Sequence, residues 1–372
     1  MSHGDRTDLR ERAADFLAAV YRDDLVRFPF STLYEGGAYP SRYDHPLAVR
    51  YTLITALGVH RAAAGGLAHP LTERAPELVQ RVADVHGPQL RSEADAGLLL
   101  LALAEAGVRP TEQAELVARI RRAAEAGRAR GLTMQDLSWM LWGAVEAARG
   151  GVPGAGDAAA AVQRLVAAGF TSRHSALPLH SPARARRRLV SFGSLTYFLR
   201  CQLEWARWAG DEQAAGRFGT ALATTLGLQG RAGEWPWLLD TRTAAVLDAY
   251  PVFSVHQLSM AMLFLRPAAA EGHPGAEEAV ERSFRWVRGE NDLRVPIVVD
   301  GGRFIYRSIE ETDRWARAQR YARTTRRALL RRSDAWGTRR RVRLNPESRS
   351  YEWGWLLYAW ADGAAMPPVA GS

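Results

Sequence analysis

Residues 93–106 read EADAGLLLLALAEA, a stretch in which apolar side chains cover every face of a helix. A helix that is apolar all round has to be buried all round. Five other stretches share the pattern: 46–60 (PLAVRYTLITALGVH), 133–148, 191–209, 254–265 and 350–361. Between them run amphipathic, Arg/Glu-rich segments at 9–22, 74–86, 111–129, 156–168, 211–226, 275–289 and 312–332. Wholly buried helices alternating with half-exposed ones are what an inner ring inside an outer ring requires. An open solenoid would alternate too, but it needs a regular repeat, and the spacing of the buried helices runs from about 40 to about 95 residues. The reading is therefore an all-α fold, a closed toroid of six α-hairpins. Residues 1–372 would form one domain, with 364–372 as a disordered tail.

Composition narrows the class. Apolar residues make up 47% of the 372, enough for a large core. No apolar run is long enough to span a membrane. The start, MSHGDRTDLRERAADF, lacks the basic-then-apolar order of a secretory leader, which points to the cytoplasm. The lone Cys201 excludes an internal disulfide and any cysteine-rich zinc site. All 49 basic residues are arginine, which removes lysine bases, Schiff bases and the phosphate-loop lysine. Residues 311–343 hold twelve arginines against Glu311, Asp313 and Asp334, an excess equal to the net charge of +9 of the whole chain. The run Arg314–Arg343 reads either as a solvated outer face or as a surface for a polyanion or an anionic membrane. With no recognition fold beside it, nucleic acid is not expected.

Two connections are Gly/Pro-rich, 150–154 and 177–182. A third is different in kind: VPIVVD-GG-RFIYRSI at 295–309 places β-branched and aromatic runs on both sides of Asp300-Gly301-Gly302. That predicts a β-hairpin, because glycines supply the positive φ of a tight turn. It is expected over one mouth of the ring.

The richest stretch is QGRAGEWPWLLDTRTAAVLDAYPVFSVHQ at 229–257. Gln229, Gly233 and Trp235 reproduce the Q-x-x-x-G-x-W pattern, and in this the stretch resembles the repeats of terpenoid cyclases and protein prenyltransferases. There the Gln amide caps backbone at helix ends and the Trp packs against it. A wider resemblance covers about 190–361, through VSFGSLTYFLRCQLEWARWAGD, DAYPVFSVHQLSMAML, GENDLRVPIVVDGGRFIYRSI and ESRSYEWGWLLYAW. These blocks are similar to a family of bacterial toroid proteins without an established reaction. The resemblance implies the fold and no substrate. Leu238 stands where those blocks usually carry His, so a mechanism needing a histidine there would be absent.

Connections entering inner helices form the mouth of a toroid, where reactive groups reach the cavity. Glu234, Asp240, His256 and Glu352 are the candidate catalytic residues, with carboxylates suited to proton transfer. Trp235, Trp237, Arg242, Tyr250, Gln257, Asp136, Trp139, Tyr197 and Trp353 are the candidate substrate contacts. Each has a plainer reading: Trp as packing, Asp240–Arg242 as a loop ion pair, Thr133 and Asp136 as a capping box. Asp44 and His45, and Glu93 and Asp95, precede or open the first two inner helices. No D-x-D-D, D-D-x-x-D, zincin, Walker or dinucleotide motif occurs, so neither metal nor cofactor is expected. Twelve Trp, several of them adjoining acids as in Glu204-Trp205, Glu234-Trp235 and Glu352-Trp353, suit two small-molecule guests, since indole faces stabilise carbocations and also stack on sugar rings. The resemblance favours a cyclase- or prenyltransferase-like enzyme acting on an isoprenoid chain. The alternatives are a carbohydrate-active toroid (epimerase, lyase or glycosidase) on an acidic sugar, and a non-catalytic scaffold. A membrane-borne substrate would also place the protein at the membrane periphery.

Overall fold

The computed structural model describes residues 8–126, 131–170, 176–181, 188–312, 326, 327, 330 and 341–369. Six inner helices occur among them in chain order: α2 (Ala48–Ala64), α5 (Glu93–Ala106), α7 (Met134–Arg149), α9 (Phe192–Ala209), α11 (Met262–Ala270) and α13 (Ser350–Ala359). A π-helical turn, His256–Met260, leads directly into α11. Each inner helix packs on the next, and α13 packs back on α2, which closes the ring. The outer layer comprises α1 (Leu9–Val20), α4 (Ala75–His86), α6 (Pro110–Glu125), α8 (Ala155–Ala168), α10 (Glu212–Leu226) and α12 (Ala276–Val287), with α1 against α13. A one-turn helix, α3 (Pro70–Glu73), precedes α4.

Local chemistry sets these limits. Ser92 caps α5 by accepting from the amides of Ala94 and Asp95, and Gly107 ends it in the left-handed region at φ 65°. Thr133 and Asp136 form a reciprocal capping box on α7, while Ser191 and Asp211 cap α9 and α10. The seam that closes the ring rests on glycine. A Cβ on Gly58 of α2 would stand 2.0 Å from the Gly354 carbonyl oxygen of α13, and one on Gly354 would stand 2.7 Å from Thr55 Cα. The two backbones approach more closely than any side chain permits.

Connections on the two ends of the ring differ in length. Those from an inner to the next outer helix are short, such as 107–109 and 210–211. The longest connections run from an outer to the next inner helix, and all ten strands among the described residues lie in them: β1 (Ser31–Thr32), β2 (Ser41–Arg42), β3 (Leu189–Ser191), β4 (Leu238–Asp240), β5 (Val246–Asp248), β6 (Val252–Phe253), β7 (Val298–Val299), β8 (Phe304–Ile305), β9 (Ser308–Glu311) and β10 (Val342–Asn345). The elaborated end is thus the one where inner helices begin.

The structure amends the sequence reading in three places. The hairpin expected at 295–309 forms only as β7 and β8, turning through Gly301 and Gly302 at positive φ. From Ser308 the chain leaves it, and β9 pairs with β6 and β10 instead. Strands β1 to β6 were not expected, because two- and three-residue strands are too short to show alternation. The expected outer helix at 312–332 lies almost wholly outside the described residues, as does most of Arg314–Arg343; α1 completes the outer ring without it.

Candidate active site

The antiparallel sheet β6–β9–β10 gathers three distant segments at the elaborated end. Val252 pairs with Ile309 and Phe253 with Ser308, while Asn345 pairs with Ser308 from the other side. This registers Arg307 beside Ser254, whose amide and hydroxyl both donate to the Arg307 carbonyl, at 3.0 and 2.8 Å. Beyond β10, Ser348 and Thr32 exchange backbone hydrogen bonds at 2.8 and 3.0 Å, tying the first long connection to the start of α13.

At the elaborated end the first turns of the inner helices carry the partly exposed residues Tyr51, Asp95, Gln135 and Tyr351 beside an otherwise buried core, and β6 carries the partly exposed Phe253. Arg50 pairs with Asp95 at 2.6 Å and lies 5.1 Å over the Trp139 ring, which meets Tyr197 edge-on at 4.9 Å. Tyr197 accepts from the Trp355 indole at 2.8 Å. The Tyr51 and Tyr351 rings lie 4.4 Å apart.

Glu352 follows Tyr351 and is 1% exposed. Burial pushes its carboxyl up to about 8, against the opposing pull of Ser254, Arg307 and Arg349, and its Oε1 has no hydrogen-bond partner. His256 opens the π-helical turn and sits among Phe192 at 4.9 Å, Phe253 at 5.3 Å and Trp237 at 6.2 Å, the last parallel to its ring. Burial alone lowers the imidazole to about 3, and its Nδ1 has no partner. The indole NH of Trp139 is likewise buried without an acceptor. So burial favours a protonated Glu352 and a neutral His256 near pH 7, and Glu352 Oε1, His256 Nδ1 and Trp139 Nε1 are among the buried polar atoms at this end without a hydrogen-bond partner.

The other sequence candidates fall into distinct places. Glu234 and Tyr250 gather around Asp292: the Tyr250 hydroxyl donates to Asp292 Oδ2, and burial together with the Asp292 charge raises the Glu234 carboxyl. Asp240, 2% exposed, closes the turn after β4 by accepting from the Arg242 amide at 2.8 Å, with the Arg242 guanidinium 3.9 Å from Oδ2. Asp136 is held in its capping box. Three residues expected at the substrate turn to the layer behind the mouth. Trp235 donates to Ser283 of α12, Trp353 donates to Ser348 and stacks on Phe16 of α1, and Gln257 brackets Gly233 O and Trp235 N. Gln229 donates to the carbonyls of Gly233 and Ala279, each at 3.0 Å, the backbone-capping geometry of the Q-x-x-x-G-x-W pattern. Of the five candidate residues at the entrances of the inner helices, Glu234 and Tyr250 lie at Asp292, Asp240 closes the turn after β4, and His256 and Glu352 are buried where the π-helical turn packs on α13.

Sequence reasoning missed Arg307, Glu347, Arg349, Tyr51 and Tyr351. A signal existed for two of them: Arg307 interrupts the apolar run FIYRSI, and Arg349 stands just before the buried helix that carries Glu352. Among the described residues no three His, Cys, Asp or Glu side chains cluster as a metal site, and no helix is long and apolar enough to cross a membrane.

No known sequence family matches the chain, and no curated protein does. Solved structures are similar along nearly its whole length. Cellobiose 2-epimerase from Bacillus thermoamylovorans B4167 superposes with a TM-score of 0.67 at 12% identity, over 96% of this chain and 98% of that one. Unsaturated glucuronyl hydrolase from Bacillus sp. GL1, responsible for degradation of glycosaminoglycan, gives 0.59 at 12%, over 95% and 96%. An inactive variant of the alpha-1,6-mannanase of Salegentibacter sp. HEL1_6, in complex with alpha-1,6-mannotriose, gives 0.60 at 7%, over 95% and 98%. The chain has the α/α-toroid fold of these carbohydrate-active proteins. That overturns the expectation of a terpenoid-cyclase- or prenyltransferase-like enzyme, which rested on a three-letter repeat pattern whose role here is helix capping. The comparisons lend no support to a membrane or polyanion partner either.

Proposed function

We propose that the mouth of the ring binds a carbohydrate, that Glu352 exchanges protons with it and that His256 hydrogen-bonds it. The observation that carries this reading is the set of unsatisfied buried atoms Glu352 Oε1, His256 Nδ1 and Trp139 Nε1. Buried polar groups are almost always hydrogen-bonded, so a bound molecule completing this set must both donate and accept. Sugar hydroxyls do both; a hydrocarbon chain does neither. Trp237, Phe253 and Tyr51 supply ring faces for the apolar side of a pyranose, and the three carbohydrate-active structures favour the same class of guest. The aligned length of those structures fits one catalytic unit made of the whole ring.

In this reading Glu352 is the proton donor: it protonates a glycosidic or carbonyl oxygen, and the proton given up by the attacking water or by carbon returns to its carboxylate. His256, kept neutral and weakly basic by burial, holds a substrate hydroxyl by hydrogen bond. Trp237, Trp139 and Tyr197 position the ring; Glu234, Asp240, Arg242, Tyr250, Trp235, Trp353, Gln257 and Asp136 shape the wall from behind. The test is NMR of an oligosaccharide panel in deuterated water. Hydrolysis creates new reducing ends, and isomerisation or epimerisation incorporates deuterium at carbon. If no oligosaccharide binds or changes, the carbohydrate reading is wrong.

A further inference from the structure

We infer that Arg307 receives an anionic group of the substrate, so that the ring takes an acidic sugar such as a uronic acid residue. This rests on the carbohydrate reading above for the sugar, but not for the anion.

The argument begins with a charge imbalance. Arg307 Nη1 donates to Glu347 Oε2 at 3.1 Å, and Arg349 Nη2 donates to the same oxygen at 2.6 Å. Two guanidinium groups share one carboxylate. The other acid at the axis does not help, because Asp95 is already taken by Arg50 at 2.6 Å. Glu352, whose carboxyl feels both Arg307 and Arg349, is held protonated near neutrality by its burial. Among the described residues this leaves one positive charge over at the mouth.

The two arginines are not equivalent. Arg349 is 4% exposed and spent on structure: its Nη1 donates to the Phe30 carbonyl at 3.0 Å and its guanidinium lies 3.8 Å over the Phe30 ring. Its Nε is buried without a partner. Burial and the charge of Arg307 hold the Arg349 guanidinium below its ordinary affinity for a proton, the mark of a positive charge short of anions. Arg307 keeps 30% side-chain exposure. Its Nη1 alone is engaged by described side chains, which leaves Nε and Nη2 as a free fork. The guanidinium stacks 5.4 Å over Phe253, the ring that meets His256 edge-on. A fixed planar fork with two free donors matches a carboxylate oxygen for oxygen. An excess cation at a partly desolvated site attracts an anion more strongly than it would in water.

Calorimetric titration at low salt with methyl β-D-glucuronide, methyl β-D-glucoside and malonate tests this. The wild-type protein should bind the glucuronide at least about tenfold tighter than the glucoside, the scale of one charge-assisted fork. Arg307→Gln should bring the two sugars to equal affinity without weakening the glucoside. Glu347→Gln removes the competing anion and should widen the preference. Equal affinities in the wild type, or a preference that survives in Arg307→Gln, overturn the assignment. Malonate binding that disappears in Arg307→Gln, with neither sugar bound, upholds the anion site and removes the carbohydrate. No binding of any of the three overturns both.

Discussion

Glu352 and His256 show how burial sets the ionisation of a carboxyl and an imidazole in opposite directions. Both are named by position alone in the sequence, each at the start of an inner helix, and both are displaced from their ordinary ionisation by loss of water. With the carboxyl raised to about 8, a reaction that needs its proton should lose rate as pH climbs through 8. The imidazole, at about 3, stays neutral across the whole working range and adds no limb near 6. Glu352→Gln should reduce turnover on the order of 100-fold or more. The same substitution reports on stability. A carboxyl whose folded value lies above its unfolded 4.5 contributes most below 4.5 and loses that contribution as pH rises through about 8. Glu352→Gln should therefore melt higher than wild type at pH 8 and about equally at pH 4. A variant that is inactive and also less stable at pH 8 would mark Glu352 as structural.

The elements are placed by capping chemistry and by close backbone contact. Serine, threonine and aspartate caps set where α1, α5, α7, α9 and α10 start, and those signals are visible in sequence. The α2–α13 seam is set by Gly58 and Gly354, where added methyl groups would stand 2.0 and 2.7 Å from the facing backbone. Gly58→Ala should cost about 3 kcal/mol, the upper range for overpacking, since backbone rather than a movable side chain is struck. Gly216 and Gly219 of α10 are the contrast, since a methyl group added at either would meet nothing within 4 Å. Alanine there should stabilise by about 0.5–1 kcal/mol through helix propensity. Thermal melts of the three variants decide this; equal effects at Gly58 and Gly216 would mean the seam tolerates separation.

Across the whole molecule, the two ends of the ring are built for different work. The end with short connections is sealed by charge: Glu204 pairs with Arg149 at 2.6 Å and with Arg200 at 2.8 Å, and Arg200 lies 4.9 Å over Trp142. Beside them Tyr358 donates to Glu105 at 2.5 Å, with Arg61 at 3.6 Å. Burial raises Glu105 to about 7, outweighing Arg61. Its contribution is present below 4.5 and lost as pH rises through 7, so wild type should lose stability over that interval and Glu105→Gln should lose less. Activity at the opposite mouth should be unchanged in this variant. An identical pH–melting profile in both proteins would show that Arg61 and Tyr358 keep Glu105 ionised.

The ring was legible because burial leaves a mark on composition: a helix surrounded by other helices has no polar face, and EADAGLLLLALAEA displays that directly. Closure followed from irregular spacing, which a stacked repeat does not allow. The entrances of the inner helices were legible as the elaborated end of the ring, and His256 and Glu352, both buried, start two of them. What the tertiary structure alone decided is which way each side chain faces. Trp235 and Trp353 share the sequence context of Trp237, close to an acid, yet the first two turn to α12 and α1. Arg307 and Glu352 are 45 positions apart and meet only through the pairing of β6, β9 and β10, strands too short to carry a periodic signal. The substrate class was misread for the same reason. A repeat motif that caps backbone records how helices are held, whereas the guest is chosen by polar atoms left unsatisfied, and those exist only once the chain has folded around them.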